Sequence, residues 1–215
     1  MIQVHSFVFN PFQENTYILF DETREAIIID PGCYEKDEQK DLTAFIESKD
    51  LKVKSLINTH CHVDHVLGNS FVKDHYKVEL GIHPIELNLL RAVKSYAFNY
   101  GFAGYHGTEP EYYLNEGDKV KFGNSKLEVL FVPGHAPGHI ALYSKEQAFC
   151  IAGDVLFNRS IGRTDLPGGN FETLIHSIQT KLFVLPDNTV IFPGHGPSTT
   201  IGEEKRYNPY CATIK

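Results

Sequence analysis

Strand-like and helix-like segments alternate along the chain, and this alternation predicts an α/β fold. Three observations support it. β-branched and aromatic runs of three to eight residues recur from the N-terminus to Phe192, amphipathic helical segments separate several of them, and Pro, Gly, Asn and Asp mark the turns between. With 215 residues, the chain is long enough to bury a sizeable core without disulfides, and it is expected to form one domain spanning 1–215.

Segments 2–9, 16–20 and 26–29 read as an N-terminal strand meander, closed by Asp30-Pro31-Gly32, where Pro stops pairing and Gly permits a reversal. Segment 36–48 carries Leu42, Phe45 and Ile46 at helical spacing among charges and predicts a surface helix. Segment 53–58 predicts a buried strand, 65–76 a helix and 78–82 another strand. A helix over 86–100 would place Leu87, Leu90, Val93 and Ala97 on one face. Residues 96–113 are rich in Tyr, Phe and Gly, a composition that suits either a lid over a site or packing against the protein's own core. Strands are also predicted at 126–132, 149–152 and 190–192.

Between the strand at 53–58 and the helix that follows lies Thr59-His60-Cys61-His62-Val63-Asp64-His65. Residues two apart on an extended segment point the same way, so His60 and His62 can converge on one ion, while Asp64 and His65 are turned toward a different point. Burying four such groups without an ion would leave several polar atoms needing partners. The second half repeats the device: three predicted strands end in Pro133-Gly134-His135, Gly153-Asp154 and Pro193-Gly194-His195. Any one of these alone would read as an ordinary turn, but together with the first cluster they predict a shared metal site. The other histidines considered, His5, His75, His83, His106 and His176, read as surface or hydrogen-bonded core residues. Cys61 is expected to be a buried, inert thiol.

A net charge of −7, without a clustered Lys/Arg surface, argues against a nucleic-acid partner. No apolar run approaches the roughly 18 residues of a spanning helix. The four cysteines show no CxxC spacing and the N-terminus no signal pattern, so the expected compartment is the cytoplasm. The sequence specifies no oligomeric state.

The pattern His60-x-His62-x-Asp64-His65, followed by His135, Asp154 and His195, resembles the metallo-β-lactamase superfamily over nearly the whole chain. Within that superfamily, 160–169 (SIGRTDLPGG) and 193–202 (PGHGPSTTIG) resemble the short, single-domain glyoxalase II-like (hydroxyacylglutathione hydrolase-like) hydrolases. The resemblance implies an αββα sandwich of two mixed sheets flanked by helices. It also implies one metal on His60, His62 and His135, a second on Asp64, His65 and His195, and Asp154 bridging both, with Asp64 and Asp154 as the carboxylates of the catalytic centre. Two divalent ions are expected, zinc foremost, with iron or manganese as alternatives. Two dications against two carboxylates leave positive charge to hold a bridging hydroxide and attract a carbonyl, which implies hydrolysis of small thioesters or related substrates. The chain ends soon after His195, where full-length glyoxalase II enzymes add a basic helical region, so weak glutathione binding is expected. Two alternatives are a mononuclear-iron persulfide dioxygenase, which shares the Gly162-Arg163-Thr164-Asp165 type of segment, and a non-enzymatic metal-binding scaffold or sensor. Arg163 and Asp165 are expected to pair and brace their own loop.

Overall fold

Two six-stranded mixed sheets organise the protein, described over residues 1–213 by a computed structural model. The chain divides into two compact units, one comprising 1–114 with 121–126, the other 115–120 with the remainder from 127.

In the first unit the elements are β1 (Gln3–Phe9), β2 (Glu14–Phe20), β3 (Glu25–Ile29), α1 (Lys36–Ser48), β4 (Lys52–Ile57), α2 (Val63–Val66), α3 (Asn69–Tyr76), β5 (Leu80–Ile82), α4 (Leu87–Tyr96) and β6 (Tyr112–Tyr113). The strands run in sequence order across the sheet. β1, β2 and β3 are antiparallel neighbours, as the meander predicts, and β3 to β6 pair in parallel, with helices supplying the crossovers that parallel pairing requires. Ile18, Phe20, Ala26, Ile28, Leu56, Leu80 and Ile82 form a core with Leu42 and Ile46 of α1, Val72 of α3, and Leu90 and Val93 of α4. Of these helix residues, Leu42, Ile46, Leu90 and Val93 belong to the apolar stripes read from the sequence. Truncating a fully buried one such as Leu42 to Ala would cost about 2–5 kcal/mol.

Two predicted helices are shorter than expected, each for an identifiable reason. The helix expected over 65–76 is split into α2 and α3. Gly68 donates its N–H to the Pro31 carbonyl at 2.7 Å, and a Cβ there would lie 2.5 Å from Cys33 Sγ, so the backbone is drawn against the β3–α1 turn. The helix expected over 86–100 is α-helical only to Tyr96. It tightens into a 3₁₀ turn, Ala97–Tyr100, and stops at Gly101, whose φ of +91° is left-handed.

The remaining elements are β7 (Lys119–Phe122), β8 (Ser125–Phe131), β9 (Ile140–Ser144), β10 (Phe149–Gly153), β11 (Leu156–Phe157), β12 (Ser160–Ile161), α5 (Phe171–Ser177), β13 (Val190–Pro193), β14 (Thr199–Thr200) and α6 (Ile201–Tyr207). The β7–β8 turn belongs to the first unit. Asp21 accepts hydrogen bonds from the Asn124 N–H and the Ser125 hydroxyl, both at 2.8 Å, and approaches so closely that a Cβ at Gly123 would sit 2.3 Å from its carboxylate. The second sheet runs β14-β13-β10-β9-β8-β7, with β10 and β13 parallel. In the second unit Val132, Ala141, Cys150, Ala152 and Ile191 pack with Leu174 of α5, with Ile178 and Leu182 of the π-helical turn that follows it, and with Ile201 of α6. A small hairpin, β11–β12, is tied to α6 by Asn208, which donates to the Ser160 carbonyl at 3.0 Å.

Candidate metal centre

The histidine-rich stretch of the first unit leaves the end of β4, as the sequence predicts. His60 and His62 lie on the extended turn, and Asp64 and His65 lie in α2, which begins after His62. All four are buried. The rings of His60 and His62 are 4.8 Å apart and perpendicular, and those of His60 and His65 are 4.2 Å apart. His65 Nε2 stands 3.6 Å from Asp64 Oδ2.

Three buried carboxylates that the sequence reading did not single out hold this loop. Asp30, just past β3, accepts the Thr59 N–H (2.7 Å) and hydroxyl (2.6 Å), and its Oδ2 lies 3.3 Å from His65 Nδ1. The ligand-type atoms of Asp30, His60 and His65 all lie within 4.8 Å of one another, which would also suit an ion. We read Asp30 instead as the orienter of His65. Both its oxygens are engaged by Thr59, and it faces Nδ1 while Nε2 faces Asp64. Glu14 is fully buried 3.8 Å from the same Nδ1 and accepts the Thr16 hydroxyl. Burial pushes its carboxyl well above the usual carboxylate range, against the opposing pull of His65. Glu86 accepts the Cys61 N–H at 2.8 Å, and Asn58 donates to the His65 carbonyl at 3.0 Å. The Cys61 thiol is buried and its pKa is pushed up by desolvation, then by Glu86, in keeping with an inert side chain.

In the second unit His135, Asp154 and His195 come together. Asp154 Oδ2 is 3.5 Å from His135 Nε2 and 3.5 Å from His195 Nε2, so one carboxylate oxygen faces both imidazoles. His135 and Asp154 are buried, and His195 is partly exposed. His135 Nδ1 donates to the Arg163 carbonyl at 2.7 Å, which fixes the tautomer and leaves Nε2 to face Asp154. Gly162 makes that approach possible. A Cβ there would lie 1.9 Å from the Asp154 carbonyl and 3.0 Å from His135 Nδ1. The Arg163–Asp165 pair forms as expected, bidentate at 2.7 and 2.8 Å, and holds the Asp165 carboxyl down at about 2. Sequence reasoning passed over His139, which is fully buried with Nε2 accepting the Asp154 N–H at 3.0 Å. The signal available was a second Gly-His pair, Gly138-His139, four residues after Gly134-His135.

Part of segment 96–113 packs against the protein's own core, one of its two readings. Phe102 and Tyr105 are buried in the core of the first unit, whereas Phe98 and Tyr100 are exposed. No helix among the described residues is long and apolar enough to cross a membrane.

Metal binding fits the residues present. Imidazole nitrogens and carboxylate oxygens are the donors that zinc and iron accept, and at His65 and His135 an acceptor at Nδ1 directs Nε2 toward a carboxylate.

Comparison with known proteins agrees. Hydroxyacylglutathione hydrolase GloC of Haemophilus influenzae is 41% identical over 201 residues, 93% of each chain. The mitochondrial persulfide dioxygenase ETHE1 of Mus musculus is 33% identical, over 90% of this chain and 70% of that one. The crystal structure of TTHA1623 in a di-iron-bound form superposes with a TM-score of 0.84 at 35% identity, covering 96% of this chain and all of that one. The two mixed sheets flanked by helices are thus the architecture expected from the sequence. The family model of the metallo-β-lactamase superfamily matches residues 9–195, and the chain belongs to that superfamily.

Proposed function

We propose that the protein is a dinuclear metal hydrolase of small thioesters, with His60, His62 and His135 serving one ion, Asp64, His65 and His195 the other, and Asp154 both. The observation that carries this reading is the placement of Asp154, whose single oxygen Oδ2 faces both His135 and His195. A carboxylate so placed could serve both ligand sets and would lower the repulsion between cations held there. Divalent ions held by these residues would supply hydroxide at neutral pH and Lewis acidity toward a carbonyl oxygen. The protein's own part is to orient: Asp30 sets His65, the Arg163 carbonyl sets His135, and Asp64 and Asp154 supply the negative charge that holds cations in a buried site. The residues that would hold the ions are imidazoles and carboxylates, the donor types of catalytic zinc sites, rather than the cysteines common in structural ones.

Zinc is the ion we assign, and the similarity to GloC directs the substrate to hydroxyacyl thioesters of small thiols. A cytoplasmic setting suits the four free, buried cysteines. Similarity to ETHE1 favours a second reading, persulfide oxidation at a single iron. The deciding assay measures, in one preparation, S-lactoylglutathione cleavage under nitrogen and persulfide-dependent oxygen uptake. We expect cleavage without uptake. Uptake without cleavage would replace the hydrolase by the dioxygenase.

A further inference from the structure

We propose that His139 is a positioning residue for Asp154, holding in place the turn that carries this shared carboxylate. The inference rests on the reading of Asp154 as a metal ligand. At the end of β10 the pairing with β13 shifts register between Ile151 and Gly153, and Gly153 adopts a left-handed φ of +48°. The chain thereby leaves the ladder just where Asp154 begins, and its buried N–H needs an acceptor outside the sheet. His139 supplies it: Nε2 accepts that N–H at 3.0 Å, so the ring proton resides on Nδ1.

His139 is itself held by the loop that bears His135. Its carbonyl accepts the Val132 N–H at 2.9 Å and its own N–H donates to Ala136 at 3.4 Å, closing the turn around Pro133-Gly134-His135. One buried imidazole therefore joins the turn carrying His135 to the turn carrying Asp154, across which Nε2 and Oδ2 stand 3.5 Å apart. Metal ligands must be held to within about 0.5 Å of their working geometry. A side chain at 139 that cannot accept would leave the Asp154 N–H buried without a partner and let that turn move.

The test has two arms. In ¹⁵N-labelled, zinc-loaded protein, a trans-hydrogen-bond coupling between the Asp154 amide nitrogen and His139 Nε2 should be observed, and its absence overturns the inference whether or not any variant folds. In the second arm Co²⁺ is titrated into wild type, His139→Leu, His139→Gln and Asp154→Ala, each checked for folding by circular dichroism. His139→Leu should weaken Co²⁺ binding about 10- to 100-fold and alter the visible d–d bands. His139→Gln, whose Oε1 can accept the same N–H, should recover most of both. Wild-type affinity and spectrum in His139→Leu, beside a loss in Asp154→Ala, would overturn the inference and leave the ligand reading standing. Wild-type Co²⁺ binding in Asp154→Ala would overturn the ligand reading and, with it, the inference.

Discussion

His65 Nδ1 lies 3.3 Å from Asp30 Oδ2, both groups buried, while Nε2 of the same ring faces Asp64 at 3.6 Å. The imidazole is thus held between a carboxylate that orients it and one that, in the proposed site, serves the same ion. Asp30→Ala should weaken metal binding about 10- to 100-fold, measured by competition with a chromogenic chelator. It should also lower stability, because the Thr59 N–H and hydroxyl lose their acceptor. Unchanged affinity would confine Asp30 to fastening Thr59.

His195→Ala should bring the metal content from two ions toward one and leave the fold intact, since the side chain is partly exposed and the His60–His62 pair does not depend on it. Elemental analysis of the two proteins checks this. Equal metal content would contradict the assignment of His195 to the second ion.

Gly162→Ala tests the loop behind His135. The added methyl group would overlap the Asp154 carbonyl, so the backbone must shift, at a cost of about 1–3 kcal/mol in urea unfolding. Metal affinity should fall with stability, because the displaced segment bears the Arg163 carbonyl that holds His135. A variant as stable as wild type would show that this segment yields freely.

All four cysteines are buried and free, and burial raises every thiol pKa, to about 12 for Cys150 and Cys211. Thiolate is therefore scarce at pH 8, and Ellman's reagent should modify none of the four in native protein and all four in urea. Rapid native modification of Cys61 would mean that the metal loop opens.

The proposed ligand set was legible in the sequence because its members lie just past strand ends: His60 to His65 after β4, His135 after β8, Asp154 after β10 and His195 after β13. These are local patterns of apolar run, turn and donor. The supporting groups were not legible. Asp30 and Glu14 act across the fold through contacts that no local spacing encodes, the Gly138-His139 pair marks His139 without disclosing its contact with Asp154, and Arg163 acts through its carbonyl, which carries no side-chain signature. The break at Gly68 depends likewise on a distant carbonyl, that of Pro31. Strands as short as β6, β11 and β12 give too few residues for a period-2 pattern to register.

The shared role of Asp154 is tested most directly by counting metals in protein purified without added metal, wild type beside Asp154→Ala. Two zinc ions per wild-type chain are expected, with both sites weakened in the variant, since the carboxylate that faces His135 and His195 is removed. A single iron in the wild type, or two tightly held ions in Asp154→Ala, would contradict the dinuclear hydrolase.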